Sequence, residues 1–87
     1  MHEMSIALEV CRMAEERLGR DALRRLVRVG VDVGDDAGVE ISSLEFCLES
    51  ALAGPPFAGA KPAITRHPGN ALRLSYLEVE DDDGPHD

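Results

Sequence analysis

Leu26-Val27-Arg28-Val29-Gly30-Val31-Asp32-Val33 is the stretch whose reading decides the fold. Val27, Val29, Val31 and Val33 alternate with Arg28, Gly30 and Asp32, so a strand here gathers its valines on one face. The flanking sequence offers helices to cover a sheet. Upstream, Met4 to Leu18 carries a helical period, with Met4, Ala7, Leu8, Cys11, Ala14 and Leu18 on one side. Ile6, Val10 and Met13 widen that side, and Ser5, Glu9, Arg12 and Glu16 form a narrow polar stripe. An apolar arc this broad implies more than one packing surface. Gly19 suits the left-handed position just past a helix end.

Downstream, Gly34-Asp-Asp-Ala-Gly38 reads as a loop. Ser42 to Ala53 reads as a second helix: Ser42 with Glu45 matches a capping box, and Ile41 with Phe46 a hydrophobic staple. Leu44, Cys47, Leu48 and Ala51 form its buried stripe, and Gly54-Pro55-Pro56 stops it. Ala60 to Arg66 is a short strand whose Pro62 favours an edge or a strand start. Ala71 to Val79 alternates through Leu72, Leu74 and Tyr76, then shifts phase to Leu77 and Val79, which implies a bulge or bend. His67-Pro-Gly-Asn70 between them is a turn sequence. The last two strands are expected as antiparallel hairpin partners unless the strand order separates them. The fold class is therefore α/β (α+β): two helices packed on a three-stranded sheet, in the order helix, strand, helix, strand, strand, with each helix able to cover one face.

The chain has 87 residues, which is one small domain. Apolar residues are 44% and aromatics 3%, so the core is aliphatic. Nine Lys and Arg stand against 17 Asp and Glu, a net charge of −8, which argues against nucleic acid as a partner. No apolar run approaches the ~20 residues that span a bilayer, and no basic region followed by an apolar run marks a secretory signal, so the expectation is a cytoplasmic protein away from membranes. Residues 1–80 form the domain, and Asp81 to Asp87 read as an acidic, disordered tail with weak affinity at most for hard cations. Cys11 and Cys47 read as two reduced, buried cysteines; with no CxxC and no His-rich tract, no zinc site is expected from this chain alone. There is no Ser–His–Asp or Cys–His set and little chain to enclose a substrate, so the chain does not read as an enzyme. Arg12, Arg17, Arg20, Arg24, Arg25 and Arg28 make a locally basic cluster, read as surface ion pairs or as a docking patch for an acidic partner.

The opening Met1-His-Glu-Met-Ser-Ile-Ala7 resembles the HypA/HybF family of nickel-insertion accessory proteins for hydrogenase maturation. The resemblance continues in Val31-Asp-Val-Gly34, Gly38-Val-Glu40, Ser43-Leu-Glu-Phe46 and Leu72-Arg-Leu-Ser-Tyr-Leu-Glu-Val-Glu80, in order along residues 1–80. It implies a nickel-binding α/β domain of two helices and a three-stranded sheet. It also implies a zinc ribbon with paired CxxC motifs between the second and third strands, where this sequence has only the turn at His67 to Asn70. No zinc ligand carries over. The resemblance further implies nickel delivery to a hydrogenase precursor or to a partner maturation GTPase. The alternative is a non-enzymatic interaction or regulatory module that has lost metal delivery with the ribbon. The broad apolar arc of the first helix would serve either role, or a homodimer contact.

Donor chemistry gives the N-terminus a reading of its own. A free Met1 α-amine, the His2 amide nitrogen and the His2 Nδ1 close five- and six-membered chelate rings, a set that suits square-planar Ni(II) or Cu(II). The Glu3 amide would be a fourth donor, and the Glu3 carboxylate an axial oxygen or an outer-shell hydrogen-bond partner. In the resembled family this Met-His-Glu segment is the nickel site, with His2 essential, so Met1, His2 and Glu3 are the expected metal residues. His67, in the turn, reads as a solvated loop histidine or as a further ligand from a neighbouring loop. His86 lies in the acidic tail.

Overall fold

The computed structural model describes residues 3–80. In chain order it contains α1 (Glu3–Arg17), α2 (Arg20–Arg24), β1 (Leu26–Gly34), α3 (Ile41–Ala53), β2 (Lys61–His67) and β3 (Leu72–Val79). The two long helices and three strands fall where the sequence pattern places them. The short α2 is additional: its five residues are too few to show a period. Gly19 is the N-cap of α2 with φ −72°, not a left-handed residue closing α1.

The sheet order is β2-β1-β3, with β1 parallel to β2 and antiparallel to β3. The valine strand is thus central. It reaches β2 through the α3 crossover, which a parallel neighbour requires. Val31 stands opposite Ile64 on one side and Leu74 on the other. β2 and β3 are not a hairpin, because β1 lies between them. Their link, residues 68–71, has to cross about two strand spacings, or ~10 Å, which four residues can span. It arches over the end of β1 and is pinned there: Gly34 N–H donates to Ala71 O at 2.6 Å, Asp35 N–H to His67 O at 2.7 Å and Asp36 N–H to Gly69 O at 2.7 Å.

Both helices cover the same face of the sheet. Val29, Val31 and Val33 share one core with Ala7, Val10, Cys11 and Ala14 of α1 and with Leu44, Leu48 and Leu52 of α3. On β1 the other face holds Arg28, Gly30 and Asp32, none of which offers a large apolar side chain to a second layer. Fully burying each leucine contributes about 1.5–3 kcal/mol, so the α3 row dominates the aliphatic core. The expected phase change in β3 is present as a register shift at Gly30/Val31, where Tyr76 pairs with Gly30 and Leu74 with Val31. The extra residue, Ser75, lets Leu74 and Leu77 both face the helices and turns Tyr76 onto the open face, where its ring lies over Gly30.

The α1 stripe is rotated from the expected one. Val10 is inside, while Met4 and Leu8 are exposed, because α1 packs on both α3 and the sheet through its small residues Ala7 and Ala14. Phe46 is 67% exposed, so no staple to Ile41 forms. The expected capping box does not form either: Glu40, two residues before Ser42, is the N-cap of α3.

Candidate functional site

Of the three expected metal residues, Met1 and His2 lie outside the described residues, as do residues 81–87 with His86. Glu3 is the first described residue and opens α1. One of its carboxylate oxygens, Oε2, accepts the Glu40 backbone N–H at 2.9 Å. Glu40 in turn accepts the Ser43 N–H at 2.9 Å and the Ser42 hydroxyl at 2.9 Å through Oε1. The start of α1 is therefore tied to the start of α3. The two helices run parallel, since their far ends also lie together, with Leu18 and Ala53 lining one groove.

Both carboxyls are held below the usual carboxylate range. For Glu3 the leading cause is the Glu40 backbone N–H; for Glu40 it is the Ser43 backbone N–H. A hydrogen bond to the charged form favours that form. At neutral pH both are anionic acceptors, and one Glu3 oxygen is committed to α3. The Glu3 amide is among the N–H groups that a helix start leaves without an intrahelical acceptor.

His67 belongs to the same end of the sheet but is not brought to Glu3. Its Nε2 lies 3.2 Å from Asp32 Oδ1, and Arg73 Nε lies 3.2 Å from Asp32 Oδ2. Asp32 thus sits between two cross-strand partners on the open face. Among the described residues, no group of three or more His, Cys, Asp or Glu side chains could hold a metal ion.

The cysteines differ from each other. Cys11 is buried, and burial, followed by the nearby Glu15, pushes its thiol up to about 11. Cys47 is only half-buried, against the expectation of two buried thiols; neither is in a disulfide. The basic cluster is largely absorbed by ion pairs: Arg12 with Glu9 and Glu16, Arg24 and Arg25 with Asp21, and Arg28 with Glu78. Glu40 is the residue that sequence reasoning missed. It appears there only inside Gly38-Val-Glu40, and its signal was its place three residues before Ser43, at the start of an apolar period.

Comparison with known proteins adds three findings. Residues 1–72 match the sequence model of a family described as hydrogenase/urease nickel incorporation, metallochaperone, HypA. Two relatives are hydrogenase maturation factors HypA. That of Azotobacter chroococcum mcd 1 is 38% identical over 74 residues, covering 85% of this chain and 66% of the relative. That of Geobacter sulfurreducens is 39% identical over 72 residues, covering 79% and 60%. The chain thus spans just under two thirds of the length of these relatives. The solution structure of the nickel metallochaperone HypA from Helicobacter pylori superposes with a TM-score of 0.74 at 18% identity, over 91% of this chain and 97% of that one, which shows a shared fold.

Proposed function

This chain belongs to the HypA family of nickel-incorporation metallochaperones, and on that premise we propose that it carries Ni(II) at Met1, His2 and Glu3 and passes it to a nickel-enzyme precursor or a maturation GTPase. Nickel is cargo here, and the protein performs transfer rather than catalysis, in the cytoplasm. The observation that supports the reading most is the extent of the family match, which starts at residue 1 and so includes the whole Met-His-Glu segment. An unblocked Met1 amine, the His2 amide and ring Nδ1, and the Glu3 amide make a four-nitrogen set for a square-planar ion. A terminal segment exchanges such ligands without unfolding the domain behind it. The tie from Glu3 to Glu40 supports this by giving the segment a fixed root.

Binding requires that the amine and amides lose protons, so affinity falls as pH falls through the amine range of about 7.7–8.0. The test is calorimetric titration of the untagged chain with Ni(II) near pH 7.5, beside His2→Ala. Tight stoichiometric binding that vanishes in the variant with the fold unchanged supports the reading. Weak binding equal in both proteins removes it. The four-residue link between β2 and β3 favours a second reading, in which the domain keeps a docking role without metal delivery. His2→Ala would then leave partner capture intact.

A further inference from the structure

At the end of the domain away from Glu3, the last turns of α1 and α3, the short α2 and the segment after α3 enclose an open groove of about 1020 Å³. Its apolar wall is Leu18, Leu23, Pro55, Pro56 and Phe57, and Arg20 and Arg24 project along α2, with Glu15 on the α1 side. The wall is fixed in shape. Phe57 N–H donates to Gly54 O and Gly59 N–H to Leu52 O, both at 3.0 Å, and Phe57 is buried. The arginines are poorly neutralised. Arg24 meets only the exposed Asp21, at 3.2 Å. Among the described residues Arg20 has no ion pair, and neither does exposed Arg17 on the last turn of α1.

We propose that this groove is a docking site for an acidic, apolar-studded segment of a partner protein. In a chain of net charge −8, a place where arginines outnumber nearby carboxylates is selective for negative charge. Alternating apolar and acidic residues fit it: the apolar side chains enter the Leu–Pro–Phe wall while the carboxylates meet Arg20 and Arg24. A nucleic acid fits poorly, because two arginines make no continuous basic stripe and the rest of the surface repels phosphate. A second copy of this acidic chain carries the same charge and is repelled. α1 is 15 residues long, so the groove lies roughly 20 Å from Glu3 at 1.5 Å per residue. A partner seated there leaves the terminal segment open. The proposal stands whether or not the N-terminus carries nickel.

The experiment uses the full chain and a fluorescein-labelled octapeptide alternating leucine with aspartate or glutamate, read by anisotropy. Expected is saturable binding that weakens with salt and weakens about tenfold or more in Arg20→Glu/Arg24→Glu, since two attractive contacts become repulsive. Arg20→Gln alone, which leaves every ion pair of the fold intact, weakens it two- to threefold. A lysine version of the probe does not bind. Amide shifts on adding the acidic probe fall on Arg20 to Leu23 and on Phe57 to Gly59. Absence of binding at 1 mM probe, equal binding by the variants, or shifts mapping elsewhere overturns the proposal. So does a change of the groove amides in Asp81→Asn/Asp82→Asn/Asp83→Asn without probe, which would make the chain's own acidic segment the occupant.

Discussion

Replacing Gly34 by alanine places a methyl group inside the backbone of the link between β2 and β3. An ideal Cβ at Gly34 comes within 2.7 Å of the Gly69 carbonyl carbon and 2.8 Å of the Ala71 nitrogen, and closer still to the Gly69 oxygen. These are main-chain atoms, so no rotamer change relieves the clash. The link must lift off β1, and the hydrogen bonds from Gly34, Asp35 and Asp36 that pin it are strained with it. Overpacking of this kind costs about 1–3 kcal/mol, and each weakened hydrogen bond about 0.5–1.5 kcal/mol. With two of the three bonds weakened, the expected loss is about 2–6 kcal/mol. A domain of 87 residues has ~4–13 kcal/mol in all, at 0.05–0.15 kcal/mol per residue. Equilibrium urea denaturation should therefore show a midpoint far below wild type, and Tm should fall by ~10 °C or more. Gly54→Ala is the control, since nothing lies within 4 Å of a Cβ there and φ is −99°; it should stay within about 0.5 kcal/mol. If Gly34→Ala also stays within that margin, the link is not clamped to β1 and the reasoning fails.

Three further outcomes follow from the same geometry. Leu48→Ala, at a fully buried position in the core shared with Val29, Val31 and Val33, should lose about 2–5 kcal/mol in the same denaturation assay. In the native protein at pH 8, a thiol reagent should modify Cys47 promptly and Cys11 only on unfolding, because Cys11 is buried and its thiol is pushed up to about 11; equal rates would contradict the placement of α1. Glu40 has a folded-state pKa below its ordinary 4.5, so its contribution is full above that value and is lost as pH falls through the lowered one. The stability gap between wild type and Glu40→Gln should accordingly be present at pH 7 and close on acidification, as followed by the urea midpoint.

The sequence was most legible where one period dominates. The valine alternation of β1 and the apolar row of α3 each point to one element and one face, and the structure has both elements, with two changes of detail: a register shift between Leu26 and Arg28 puts Leu26 in the core in place of Val27, and Leu52 joins Leu44 and Leu48 while Cys47 and Ala51 are only partly buried. It was less legible where tertiary contacts choose among equivalent local options. Two helices and one valine face are compatible with covering either one side of the sheet or both; only the polar set Arg28, Gly30 and Asp32 decides it. The order β2-β1-β3 follows from a link that reads locally as a hairpin turn. Ser42 and Glu40 are both able to cap α3, and the choice falls to Glu40, whose backbone N–H also donates to Glu3 Oε2. At the candidate site the sequence proposes Met1, His2 and Glu3 by donor type alone, while the anchoring of Glu3 to α3 needs a contact 37 positions away.

The parallel course of α1 and α3 has an electrical consequence. Two helices aligned this way direct the positive ends of both macrodipoles at one pole of the domain, each equivalent to roughly half an elementary charge. Glu3 and Glu40 stand at those ends and offset them. Two carboxylate charges against about one elementary charge of combined dipole leave this pole net negative. Without those two side chains the same pole would be cationic, so Glu3 and Glu40 set the sign of the field where both helices begin.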